Sequence, residues 1–345
     1  MARIHNRVEQ LFKPEISMET NLYPLKFEPI YQYRIWGGRR LEHLLTKPLP
    51  ANDPIGEAWI LSDRDDHPSK ISDGPLKGQT ISELFERSHE KLMGKHAKKF
   101  KRFPLLLKFL DCQQVLSVQV HPADNMKKYI PAGENGKTEA WVVLETGKDA
   151  VIYAGLKLGT TKEKLEASLQ KHEVANYLAS FKPEVGNSVL IKAGTVHTLN
   201  DVVVFEVQEN SDVTYRLYDW DRVDKKTGKP RDLQVEQALA CIDFAETDIK
   251  PATPVIQVIE RILCERILEN EHFTVWRYTA DNSFLVGEVA TPRVLVCIEG
   301  SGDILYDEKN FPLAKGDVML LPAIVGACRF EPKGDVILLE VALPE

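Results

Sequence analysis

The stretch "LSVQVHPADN", Leu116 to Asn125, alternates apolar and polar residues and then stops at a His-Pro. Side chains alternate along a strand, so Ser117, Gln119 and His121 share one face while Leu116, Val118 and Val120 share the other. The polar face is either solvated or the inner wall of a cavity that holds something.

The surrounding sequence has the same rhythm. From Tyr23 to Leu61, segments such as "YPLKFEPIYQYRIWGG" and "IGEAWILSD" alternate with Pro and Gly turns. "EAWVVLE", "AVIYAGL", "SVLIKAG", "VVVFEVQ" and "TYRLYDW" follow, and from Ile256 "FTVWRY", "SFLVGEV", "RVLVCIEG", "GDILYD", "VMLLPA" and "VILLEVALP" continue the pattern. Many short strands at close spacing predict a mainly β fold, a sandwich or barrel rather than a parallel α/β sheet. Two stretches break the rhythm. "TISELFERSHEKLMGKHAKKF" carries a capping box, Thr80 with Glu83, ahead of Ile81, Leu84, Phe85 and Leu92 at helical spacing. "TTKEKLEASLQKH" reads as a second helix, capped by Thr160 with Glu163. "AETDIKPATPVIQ" is the expected linker.

The chain has 345 residues, 43% hydrophobic and 28% charged, which is ordinary for a soluble globular protein and long enough for two domains. A net charge of -7 argues against a general nucleic-acid or anionic-membrane surface, so an anionic ligand needs a local cluster of cations. Five cysteines are scattered without a CxxC pair, as expected in a reducing compartment. The first twenty residues lack the apolar core of a signal peptide, and "FPLLLKFL" is too short to span a bilayer. The expectation is a cytoplasmic protein with a loose extension over residues 1–21.

"GNSVLIKAGTVH" (Gly186–His197) matches "GDVMLLPAIVGA" (Gly316–Ala327) in register, one ending in His197 and the other in Ala327. Either two copies of one β unit are present, the first alone with a ligand side chain, or two Gly-initiated strands match by chance.

Chemistry-bearing residues gather in the first half. Two imidazoles (His121, His197), the carboxylate of Glu139 and the carboxamide of Gln119 suit a borderline divalent cation, although no tight HxH or HExxH pair is present. Lys137 shares a face with Glu139 if the strand extends back that far. Glu206, inside "VVVFEVQ", is either buried, needing a cation, a metal or a proton, or exposed on an edge strand. Arg216 in "TYRLYDW" suits a phosphate or a developing oxyanion, or else a salt bridge to Asp219 or Asp221. The other histidines (His5, His43, His67, His89, His96, His172, His272) read as surface residues.

Together, "LSVQVHPAD", "GKTEAW", "AGTVHTL" and "SDVTYRLYDWDR" resemble, in family order, motifs of the type I mannose-6-phosphate isomerases, particularly the short bacterial form. The resemblance runs from about Tyr23 to the C-terminus. It implies two cupin-type (jelly-roll) barrels. The first would be catalytic, over 22–248, with a helical insertion near 79–100 and a helix near 161–180. The second, over 256–345, would be degenerate and without metal. It implies one zinc per chain on Gln119, His121, Glu139 and His197, a catalytic Arg216, and Lys137, Glu206, Asp212 and Ser117 in the substrate cavity. The implied reaction interconverts mannose 6-phosphate and fructose 6-phosphate through an enediol, with Glu206 as proton shuttle and Lys137 as the alternative, either as an acid in ring opening or as an electrostatic partner for Glu139. No nucleotide-binding loop accompanies it, and the chain suits a monomer or a dimer. Two other readings stay open. One is a metal-dependent cupin of other chemistry, such as an iron oxygenase, which the His121-x-x-Asp124 spacing fits poorly. The other is a non-catalytic sugar-binding cupin.

Overall fold

A computed structural model describes residues 21–344 except Thr46, Ala51, Asn52 and Glu260; the expected N-terminal extension lies outside the described residues. The strand Val118–Val120 buries Val118 and Val120 fully, while Ser117 and Gln119 line a cavity. The polar face is internal.

The long strand His197–Glu209 is central to a nine-stranded sheet. Along one edge it pairs with Val118–Val120 and Leu105–Cys112, and along the other with Glu139–Leu156. Residues opposite each other on paired strands present side chains to the same face. Arg216, Gln119 and His197 therefore form one row, and Trp59, Lys108, Glu206 and Trp141 a second. "EAWVVLE" and "AVIYAGL" are a single strand, Glu139–Leu156. That strand stops short of Lys137, whose backbone N–H donates to Pro122 O instead (3.0 Å).

Two further sheets form the C-terminal half. A seven-stranded and a four-stranded sheet enclose an apolar core that includes Phe284, Leu295, Ile304, Met319, Phe330 and Leu338. One edge of the larger sheet is Val255–Ile259 and the other is Leu25–Lys26, which pairs with Leu320 and Met319. The first strand of the described chain thus completes the last sheet. The two matched segments are both Gly-initiated strands, as either reading of the match requires. Gly186 (φ 88°) and Gly316 (φ 86°) both adopt the left-handed conformation that glycine tolerates, two residues before the strands Ser188–Ile191 and Val318–Leu321.

Thr80 caps the helix Ile81–Met93 in a reciprocal capping box with Glu83, as its sequence predicts. Its apolar face, with Leu84, Phe85 and Leu92, packs into one core shared by Phe109 and Phe205 of the first sheet and Val296 and Leu339 of the last. Each such buried side chain contributes about 1.5–3 kcal/mol relative to exposure. The second helix is shorter than the 161–180 expected. It spans Lys162–Gln170, capped by Thr161 rather than Thr160. His172 then turns into the left-handed region (φ 58°), and Leu178–Phe181 pairs as a strand with Glu139–Leu156.

Candidate active site

His121 and His197 face Glu139 from separate elements. His121 Nε2 lies 3.3 Å from Glu139 Oε2, and His197 Nε2 lies 3.3 Å from Oε1. Each imidazole sets its other nitrogen 2.9 Å from a backbone carbonyl, Nδ1 of His121 at Val213 O and Nδ1 of His197 at Thr195 O. A carbonyl only accepts, so both Nδ1 atoms carry the hydrogen and both Nε2 atoms present bare lone pairs. Burial holds both rings neutral, pushing His121 down to about 3. Four acceptor sites thus converge, and His121 Nε2 and both Glu139 oxygens are buried without a well-directed hydrogen bond. Such an arrangement is costly unless a cation fills it. A divalent cation fits these residues.

Gln119 completes the set. Its Nε2 lies 3.2 Å from His197 Nε2 and its Oε1 3.2 Å from the Ser117 hydroxyl. Turning the carboxamide over brings the oxygen to the cation, and the hydroxyl can satisfy either orientation because it donates and accepts. Lys137 Nζ sits 2.9 Å from Glu139 Oε2. Burial would raise the Glu139 pKa, yet Lys137 holds it well below the usual carboxylate range. Burial opposes the charge on Lys137, and Glu139 and Glu206 outweigh it, so that lysine stays protonated.

Beside this cluster opens a cavity of about 350 Å³. Glu206 is 3% exposed, and its Oε2 accepts from Trp141 Nε1 at 2.8 Å. Lys108 Nζ lies 3.6 Å from Glu206 Oε1, 3.5 Å from Asp212 and 3.9 Å from Glu57. Burial, then the charge of Glu139, pushes the Glu206 carboxyl up to about 7. Of the two readings of Glu206 the buried one holds, because its strand is central rather than at an edge.

Arg216 lines the same cavity. Asp219 is taken by Arg222 and Arg231, and Asp221 by His172 and Tyr218. Arg34 is bound bidentately by Glu57, at 2.8 and 3.2 Å. No carboxylate among the described residues lies within ion-pair distance of Arg216, and its Nε is buried without a hydrogen-bond partner. The salt-bridge reading of Arg216 is set aside.

Three residues escaped the sequence. Lys108 hides in "FPLLLKFL", and Arg34 and Glu57 lie in strands without an evident motif; the signal was a lone charge inside an otherwise apolar run. His96, expected at the surface, is 7% exposed, held in the turn Gly94–His96 that closes the first helix. His272 is half-buried against Glu209. Asp124 also turns to that pair rather than to the His121 cluster, which removes the His-x-x-Asp metal set.

Residues 24–144 match the family model for the phosphomannose isomerase type I catalytic domain. The chain is 35% identical to the mannose-6-phosphate isomerase ManA of Bacillus subtilis over 91% of this chain and 98% of that protein. It is 30% identical to the mannose-6-phosphate isomerase of Streptococcus mutans over 91% and 97% of the two chains. The crystal structure of the mannose 6-phosphate isomerase from Bacillus subtilis superposes with a TM-score of 0.85 at 29% identity, covering 93% of this chain and 100% of that one. The cavity, its metal-ready floor and these likenesses agree with the motifs, and the chain belongs to the type I phosphomannose isomerases, a family of aldose–ketose isomerases.

Proposed function

We propose that this chain interconverts D-mannose 6-phosphate and D-fructose 6-phosphate in the cavity above Gln119 and Glu139. The observation that carries the reading is one juxtaposition. A carboxyl poised near pH 7, Glu206, shares a cavity with an unpaired guanidinium, Arg216, beside a cluster of buried donors that suits a cation.

Zinc, one per chain on Gln119, His121, Glu139 and His197, supplies Lewis-acid stabilisation of negative charge on the sugar oxygens when bound. Glu206 takes the proton from the carbon beside the carbonyl and returns it to the neighbouring carbon. Its Oε2 is held by Trp141, which leaves Oε1 as the atom that moves the proton. A group titrating near the working pH is suited to both halves of that transfer. Lys137, kept charged beside Glu139, is suited to donate a proton in ring opening and to hold Glu139 in place. Arg216 donates to the oxygens as charge builds on them, from a geometry fixed before the reaction. Ser117 and Asp212 line the sugar side of the cavity. Residues 22–248 are assigned as the catalytic unit, apart from Leu25–Lys26, which completes the C-terminal sheet, and 256–345 as a unit without a metal site of its own. No helix among the described residues is long and apolar enough to cross a membrane. The five free cysteines support a cytoplasmic location.

The test is metal-loaded Glu206→Gln incubated with mannose 6-phosphate in D2O. Retained metal with neither fructose 6-phosphate nor deuterium at the transferred position is expected. Product formation at the wild-type rate overturns the assignment of Glu206, and wild-type protein that makes no fructose 6-phosphate overturns the function.

A further inference from the structure

Asp124, Glu209 and His272 each offer one donor atom, and the three atoms lie within 4.8 Å of one another. They come from distant parts of the chain. Asp124 follows the His-Pro that ends the opening motif, Glu209 is the last residue of the central strand, and His272 sits on the turn between Ile262–Glu269 and Thr274–Ala280. The group therefore spans the catalytic sheet and the C-terminal sheet.

Each carboxylate is anchored through one oxygen by a backbone amide and keeps the other available. Glu209 Oε2 accepts from Thr138 N at 2.7 Å, and Asp124 Oδ1 from Gly136 N at 2.8 Å. Glu209 is 7% exposed, and its Oε1 lies 3.4 Å from His272 Nδ1. The ring's Nδ1 therefore faces the two carboxylates, the side from which a metal would be bound. A carboxylate this deeply buried beside another needs a cation or a proton.

We propose that Asp124, Glu209 and His272 form a second divalent-cation site, of zinc class, that clamps the segment between His121 and Lys137 to the C-terminal sheet. One imidazole nitrogen and two carboxylate oxygens are ligands zinc accepts, with water in the fourth position. Both ends of the clamped segment carry catalytic-cavity residues, so the ion tethers the frame of that cavity without touching substrate.

The test is zinc uptake by the purified full chain, stripped and then dialysed against excess zinc. Wild type should hold two ions per chain, and His272→Ala and Asp124→Asn one each, with isomerase activity kept. A His121→Ala/His197→Ala double variant should still hold one ion and melt at a higher temperature with zinc than without. Adding His272→Ala to it should abolish both effects. Should His272→Ala fail to fold, Asp124→Asn, an exposed position, decides the matter. One ion in wild type, or a second ion that survives both His272→Ala and Asp124→Asn, overturns the site.

Discussion

Trp141 and Glu206 stand directly opposite each other on paired strands, and the indole N–H donates to the carboxylate at 2.8 Å. The bond favours the charged form of an acid that burial otherwise holds up near 7. A base must be deprotonated to act, so kcat/KM should rise with pH through about 7 and level above it. Removing the bond with Trp141→Phe raises the Glu206 pKa further. The acid limb should then move to higher pH by about one to two units, since a hydrogen bond to a charged group contributes about 1.5–3 kcal/mol. A pH–rate profile reads this directly, and an unmoved limb would assign the titration to another group.

Removing either imidazole leaves an incomplete set of donors around Glu139. His121→Ala and His197→Ala should each lose nearly all metal from the cavity floor and, with it, turnover. Metal analysis should be made in a His272→Ala background, so that only the cavity-floor ion is counted. Full occupancy in both variants would place the ion elsewhere.

Arg216 tests whether the cavity catalyses or merely binds. Interactions made only in the transition state raise turnover without tightening the ground state. Arg216→Lys keeps the charge and loses the planar fork. kcat should fall by about 100-fold or more, as it does when an oriented oxyanion donor is removed. KM should change much less, and the zinc should remain. A raised KM with unchanged kcat would instead make Arg216 a phosphate anchor.

Ala327 occupies the place in the second repeat that His197 holds in the first, and it is exposed at the start of Cys328–Pro332. Ala327→Ser should leave stability within about 0.5 kcal/mol of wild type and turnover unchanged. A folded but inactive variant, shown by circular dichroism beside the isomerase assay, would move the active site to the wrong sheet.

The alternation in "LSVQVHPADN" was legible because one face of a short strand is apolar and fully buried while the other meets a cavity. The same logic found the two Gly-initiated strands, since a left-handed glycine precedes each of them. Lys108 was not legible. Within "FPLLLKFL" it resembles a solvated break in an apolar run, and only the pairing of Leu105–Cys112 with His197–Glu209 sets it opposite Glu206. His272 was missed for the same reason, because its partners Asp124 and Glu209 are far away in sequence. Local periodicity reports which way a side chain points, and strand pairing decides what it meets.

The pairing of Leu25–Lys26 with Met319 and Leu320 has a consequence for biogenesis. A ribosome releases the N-terminal strand long before its hydrogen-bond partner exists, so that edge must wait for almost the whole chain. Loop closure over such a separation is slow. The C-terminal sheet should therefore acquire this edge late, once Val318–Leu321 has been made. A chain truncated before Met319 should leave Leu25–Lys26 without its ladder, a ready binding point for chaperones or for another nascent chain.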